Sequence, residues 1–413
     1  MSSDVIQKSL QKRYRSEKIF KYAGVFSIAV AVLFLSVLFI AIIYRGAPAF
    51  ITHKIGLEID LGEEKTIDQI NYRLLIKESL KKKFPDAKTT LEKANLYHLV
   101  SKIAHLELKN QLKKNPELLG KRHSFWLSVS SDVDMFLKGK ISKTTPNEER
   151  KLKNNQIAWI ENLQSEGKIS GGFNWNFFKY ADSAEPEVAG MSASIAGSFF
   201  VVIVFLLAAF PIGVMSAFYL EEFAKKNVWV DILEVSINNL AAIPSIIFGL
   251  LGLVVYLNFM HLPRSSAIVG GLTLSMLVLP VIIISTRNSI KTIPQSIKDA
   301  AIAMGASKVQ VMFHHTLPLS LPGIMTGTIL AVSRALGETA PLLMIGMVAF
   351  IADVPHGLMD PATAMPVQIY LWSDSPELGF AEKSAAAIMV LLMFLISFNA
   401  VAVYIRKKFE KKW

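Results

Sequence analysis

The chain has 413 residues, of which 52% are hydrophobic and 19% charged, and its mean hydropathy of +0.39 lies above that of an ordinary soluble domain. Without a single cysteine it has neither a disulfide framework nor a thiolate metal site, and its redox compartment is not encoded this way. A net charge of +11 suggests nucleic acid at first sight, but 17 of the 44 Lys and Arg sit in short flanks and loops beside apolar runs, which membrane orientation explains better.

Crossing about 30 Å of hydrocarbon takes about 20 apolar residues, and six runs meet that length. Residues 1–21 form a basic tail (Lys8, Lys12, Arg13, Arg15, Lys18, Lys21) ahead of the first run, Tyr22–Tyr44. That run is too long for the apolar part of a cleaved signal peptide and lacks a small-residue cleavage site, so it reads as a retained anchor. Residues 45–190 follow as a hydrophilic insert holding 24 of the basic and 19 of the 33 acidic residues. Apolar residues at helical spacing, Ile67, Ile70, Leu74 and Leu75, then Leu91, Leu96, Leu99 and Val100, predict mostly helix over 66–115. The rest of the insert is unassigned, and an accessory domain is its default reading.

The apolar core, 191–405, carries the remaining runs at about 193–220, 236–257, 267–286, 321–349 and 386–405, with a polar loop at 287–320 and a basic tail at 406–413. The fold class is therefore an all-α membrane protein with six transmembrane helices and a large insert after the first. Six basic residues precede the first run, Lys225 and Lys226 follow the second, four lie between Arg287 and Lys308, and five follow from Arg406. Only Arg264 and Lys383 occupy the opposite short loops, so both termini are predicted cytoplasmic and the insert extracytoplasmic. Prolines 211, 244, 280 and 341 lie within or at the ends of these runs and invite bends. Gly323 and Gly327, and Ser333 and Gly337, form two small-xxx-small pairs in the fifth run, suited to close approach by another helix and to a pathway between two subunits.

Chemistry is sparse outside two segments. No G-x-x-x-x-G-K-[ST] phosphate loop occurs, so the chain is not expected to hydrolyse ATP, and there is no H-E-x-x-H pair. His314 and His315 are adjacent, point to different sides of a helix and make poor joint ligands, so neither a metal nor a cofactor is expected. In the polar loop, Asp299, Ala300 and Ala301 precede Gly305, and Leu317-Pro318 closes the stretch before the fifth run. Small residues there give a short helix one thin face for docking, and glycine allows the sharp turn after it. This pattern resembles the EAA loop of ABC importer permeases, whose helix sits in a groove of the ATPase subunit. It departs from the family at Asp299, usually Glu, and at His315, usually aliphatic.

The second segment runs from Arg334 to Pro341. With a helix starting near Leu321, Arg334 lies about 20 Å along it, where a buried arginine costs about 2.5–3.5 kcal/mol on insertion scales and should face protein or a water-filled path. Glu338, one turn on, can neutralise it. A planar guanidinium suits a tetrahedral oxyanion, with Ser333 and Thr339 as further hydroxyl contacts.

The stretch resembles the phosphate-specific transport permeases of the PstA type. The shared pieces are Phe210-Pro211-Ile212-Gly213 with Tyr219-Leu220-Glu221-Glu222, the run Asn239 to Leu250, the run Arg334 to Leu343, and Pro366 to Tyr370. Thr339-Ala340-Pro341-Leu342 favours this branch over the sister PstC type. The resemblance covers residues 170–413 and the first run, not the insert. It implies phosphate import across a bacterial inner membrane by a heterodimer of two permeases, with an ATPase dimer of PstB type and an extracytoplasmic phosphate-binding protein of PstS type. Permeases for sulfate or molybdate are the nearest alternative. A membrane-anchored receptor predicts no copurifying ATPase, and a secondary transporter needs inverted repeats and several intramembrane carboxylates, where only Glu338 is found.

Overall fold

A computed structural model describes residues 3–61, 67, 69–144, 146–147, 150–347 and 350–409. Residues 1–2 and 410–413 of the predicted tails, 66 and 68 of the predicted helical stretch, and 348–349 of the fifth predicted span lie outside the described residues. Helix α1, Ser3–Gly46, is continuous through the predicted basic tail and the first span. It lies against the last helix, and at its end Gly46 comes so close that a Cβ would stand 2.8 Å from the backbone of Ala385.

The insert is a compact α+β unit that adds a small three-stranded sheet to an otherwise helical chain, in the part of the insert the sequence left unassigned. Strand β1 (Ile51–Asp60), helices α2 (Tyr72–Lys83), α3 (Thr90–Tyr97) and α4 (Ala104–Lys114), strand β2 (Arg122–Ser128), helices α5 (Ser131–Leu137) and α6 (Asn154–Ser165), strand β3 (Ile169–Phe173) and α7 (Asn176–Lys179) follow in order. The sheet is antiparallel in the order β2–β1–β3, with Ile55 of β1 opposite Leu127 and Ile169. Ile55, Leu57 and Ile59 alternate onto one face and pack with Leu80, Leu96, Leu108 and Leu112. The predicted helix over 66–115 is thus three helices broken by caps. Asn71 accepts the Leu74 N–H at 3.1 Å, and Thr89 with Glu92 forms a capping box that starts α3.

The membrane core starts with α8 (Ser192–Phe218), which packs along α11 (Ala267–Lys291) around Val201, Val202, Phe205, Leu277 and Val278. Between them the third predicted span is a pair rather than one rod. Helix α9 (Val228–Ala241) and α10 (Ser245–Gly252), the latter extended by a π turn to Phe259, meet at 103°. Pro244 explains the break, because it has no N–H to donate and holds the preceding residue away from helical geometry.

Helices α12 (Gln295–Ala303) and α13 (Lys308–Val311) form the polar loop, α14 spans Leu317–Gly337, and α15 is the short helix Ala340–Met344. The fifth predicted span, 321–349, is therefore displaced: its helix starts four residues earlier and stops at Gly337, where Glu338 turns extended. Helix α15 then packs on α10 so closely that a Cβ on Gly249 would lie 2.7 Å from Pro341 Cα. Helices α16 (Met365–Ser373) and α17 (Leu378–Phe409) complete the chain. Among the described residues five helices are long and apolar enough to cross a bilayer, and the bent pair makes a sixth.

Gly323 and Gly327 do not face another subunit. An added Cβ would lie 2.2 Å from Ser289 Oγ and 2.1 Å from Ser285 Oγ respectively, so these glycines seat α14 on α11 of the same chain.

The insert is fixed to the core by charge as well as chain. Lys138, which caps the end of α5, lies 2.7 Å from Asp134 Oδ2 and 3.4 Å from Glu382 of α17, with all three side chains largely buried. His53 Nδ1 lies 2.8 Å from Asp134 Oδ1, and Lys383 of α17 donates to the Ala189 carbonyl. Burial pushes the Asp134 carboxyl up, but the hydrogen bond from His53 and the ammonium of Lys138 outweigh it and hold it below the usual carboxylate range. Glu187, part-buried nearby and accepting from Ser101, is pushed up by loss of water around it.

Candidate functional site

Arg334 sits on α14 three residues before the helix ends, 17 residues from its start, or about 26 Å along the axis. Its side chain is 50% exposed and that of Glu338 is 22% exposed, with Nε 3.8 Å from Glu338 Oε1. That separation is too long for a hydrogen bond, so it is an electrostatic pair. The terminal guanidinium nitrogens have no acceptor among the described residues. The structure thus brings Arg334 and Glu338 together on one face with donors open outward.

The other two residues of this group separate from them. Ser333 turns to α17, where its Oγ donates to Asn399 Oδ1 at 3.0 Å. Thr339, half-buried, caps the start of α15 without a side-chain capping bond. Asn399 was missed by sequence reasoning, although an amide in the uncharged run 386–405 was a usable signal.

The polar loop is built for display. Asp299 is exposed and accepts from Gln295 Nε2 at 3.0 Å, Ala300 is exposed, and Ala301 is buried against the loop. Gly305 has φ +89°, a left-handed turn that sends α13 away from α12. Ser307 and Gln310 then cap α13 reciprocally. Met304 is 88% exposed, and Ile302, Val309 and Phe313 are exposed beside it, an apolar patch on a polar element. His314 and His315 are both exposed, and Leu317-Pro318 opens α14. Among the described residues no three metal-ligating side chains converge.

Ion pairs that sequence reading did not assign tie this loop to the bundle. Lys298 of α12 lies 2.5 Å from Glu222, just beyond α8, and Arg287 at the end of α11 pairs with both Glu221 and Glu234. The partners are 53 to 76 residues apart in sequence, so no local spacing reveals them.

A bundle of apolar helices with a short, small-residue helix displayed beyond it and an arginine held on one of its long helices is the build of a membrane transport permease. Residues 209–412 match the model of the binding-protein-dependent transport system inner membrane component family, and this part of the chain belongs to that family. Residues 7–147 match a second model, described as a domain of unknown function, DUF3333, which stops short of α6 and β3 of the insert. The phosphate transport system permease protein PstA of Haemophilus influenzae is 29% identical over 237 residues, covering 57% of this chain and 82% of that protein. The probable ABC transporter permease protein YqgI of Bacillus subtilis is 27% identical over 252 residues, covering 58% and 85%. Among solved structures, the inward-facing MetNI methionine ABC transporter covers 54% of this chain and 98% of its own at 16% identity, with a TM-score of 0.43.

Proposed function

We propose that this chain is the PstA-type permease subunit of an ATP-driven importer that carries inorganic phosphate across the bacterial inner membrane. The observation that carries the reading is Arg334, whose guanidinium stands half-exposed on a long apolar helix with only a distant carboxylate to balance it. Relatives named as phosphate permeases support the choice of anion. A phosphate entering this path meets open donors in a bidentate fork, and Glu338 repels it, so the anion must compete with the carboxylate for the same cation. Arg334 therefore contacts phosphate in one conformational state more than in the other, which lets the ligand bias the transport cycle.

Energy comes from outside the chain, which has no phosphate loop of its own. The exposed apolar patch from Ile302 to Phe313, with Asp299 and Ala300 beside it, is the proposed seat for an ATPase subunit of PstB type, and the loop's ion pairs carry its movement into α8 and α11. The remaining proposed partners are a PstC-type permease and a PstS-type phosphate-binding protein. By the charge of the short loops, both termini and the polar loop are cytoplasmic and the insert faces the other side. The test is uptake of labelled phosphate by Arg334→Gln in the assembled importer. Uptake should be lost while the ATPase subunit still copurifies, and normal uptake would remove Arg334 from the path. Displacement of the label by sulfate or molybdate as readily as by phosphate would assign the site to another oxyanion.

A further inference from the structure

The insert contains a cavity of about 450 Å³ between α2, α3 and the start of α4. Its rim carries Arg73 and Lys77 from α2, His98 and Lys102 from the link after α3, and His105 from α4, and among the described residues no carboxylate lines it. Lys102 is engaged 2.5 Å from Glu185 outside the cavity, whereas among the described residues Arg73 meets only the His105 ring, at 3.4 Å, and Lys77 lies 5.0 Å above the face of Tyr97. The inner wall is apolar, with Leu80 and Val100 buried at its base and the Tyr97 ring along one side.

We propose that this cavity binds an organic phosphate, a dianionic head carried on an aromatic or aliphatic body of nucleoside size. The head is set by charge: the Arg73 guanidinium, the Lys77 ammonium and the His98 imidazole offer more donors than one carboxylate can use and match the three oxygens of a phosphomonoester, while His105, its Nδ1 donating to the Lys102 carbonyl at 2.9 Å and its Nε2 facing Arg73, orients the guanidinium. The body is set by volume and lining. Small-molecule sites run from about 300 to 1,000 Å³ and combine apolar walls with a few placed polar groups, so inorganic phosphate alone would leave the Tyr97, Leu80 and Val100 wall uncovered. Lys77 over the Tyr97 ring already holds a cation on that wall, and a base or ring stacked there meets both. The site lies in the insert, far in sequence from Arg334, and does not depend on how cargo is read there.

Tritiated AMP as the probe, in equilibrium dialysis against the full chain in lipid nanodiscs, tests the assignment. Saturable binding is expected, displaced by unlabelled AMP, unaffected by adenosine, and displaced by inorganic phosphate only at concentrations about tenfold higher or more. The pair Arg73→Ala and Lys77→Ala, both exposed, should weaken binding about tenfold or more, and Ala94→Trp, which fills the cavity mouth by bulk instead of removing charge, should do the same. Three results would overturn the proposal: no saturable AMP binding, equal displacement by inorganic phosphate, or binding unchanged in both variants.

Discussion

Lys138 shows how much one side chain holds here. Its side chain is 8% exposed and its ammonium lies between Asp134 and Glu382, two buried carboxylates from separate parts of the chain. Removing one partner of a buried pair leaves uncompensated charge and costs about 3–5 kcal/mol. Lys138→Met should therefore lower the unfolding temperature of the full chain in detergent well below that of the wild type, whereas Lys113→Met, exposed on α4, should not. The same network responds to acid with a definite sign. Asp134 is depressed in the folded protein, so its stabilisation is fully present above the ordinary aspartate value of about 3.9 and is lost as pH falls through its lower native value. Glu187 is raised and works the other way, destabilising once ionised. Asp134→Asn should flatten the acid limb of stability measured below about pH 4; an unchanged limb would show that other carboxylates set it.

At the scale of elements, the contact between α11 and α14 is a fit of glycine to serine. Gly327→Ala should destabilise the bundle by about 1–3 kcal/mol through overpacking, because its new Cβ would meet both Oγ and Cβ of Ser285. Ser285→Gly in the same chain removes both atoms and should restore the unfolding temperature, so a double variant no better than Gly327→Ala would break the account. Helix existence was legible wherever about 20 apolar residues ran without charge, as in α1, α8, α11 and α17. At Pro244 only a bend was legible, since Pro211 and Pro280 carry the same signal inside unbroken helices, and the 103° angle comes from packing of α10 on α11 and α15, which no local spacing encodes. Likewise Arg334 and Glu338 could be paired from their four-residue interval, while Ser333 with Asn399, 66 residues away, could not. In β1 the alternation Ile55, Leu57, Ile59 was visible, yet Lys54, Glu58 and Asp60 among them resembled a solvated loop.

For the whole molecule, the insert and α17 form one body. Lys138 with Glu382 and Lys383 with Ala189 join them, and a Cβ on Gly379 of α17 would stand 2.3 Å from Ser131 Oγ of α5, too close for sliding. The chain has no cysteine, so Lys113→Cys and Tyr404→Cys would carry the only two spin labels. Their distance, measured by double electron–electron resonance, should stay constant between nucleotide-free and ATP-bound importer, while a label pair from Lys113→Cys to Met304→Cys should change. A shift in the first pair would show a hinge between insert and helix. Near its other end α17 is tied to α14, where Arg406 donates to Thr326 Oγ1 at 3.0 Å. A helix gripped at both ends behaves as a pushrod: on the proposed topology, a stroke delivered at the polar loop would arrive on the far side of the membrane as a displacement of the insert, turning that domain into an external pointer to the internal state of the engine.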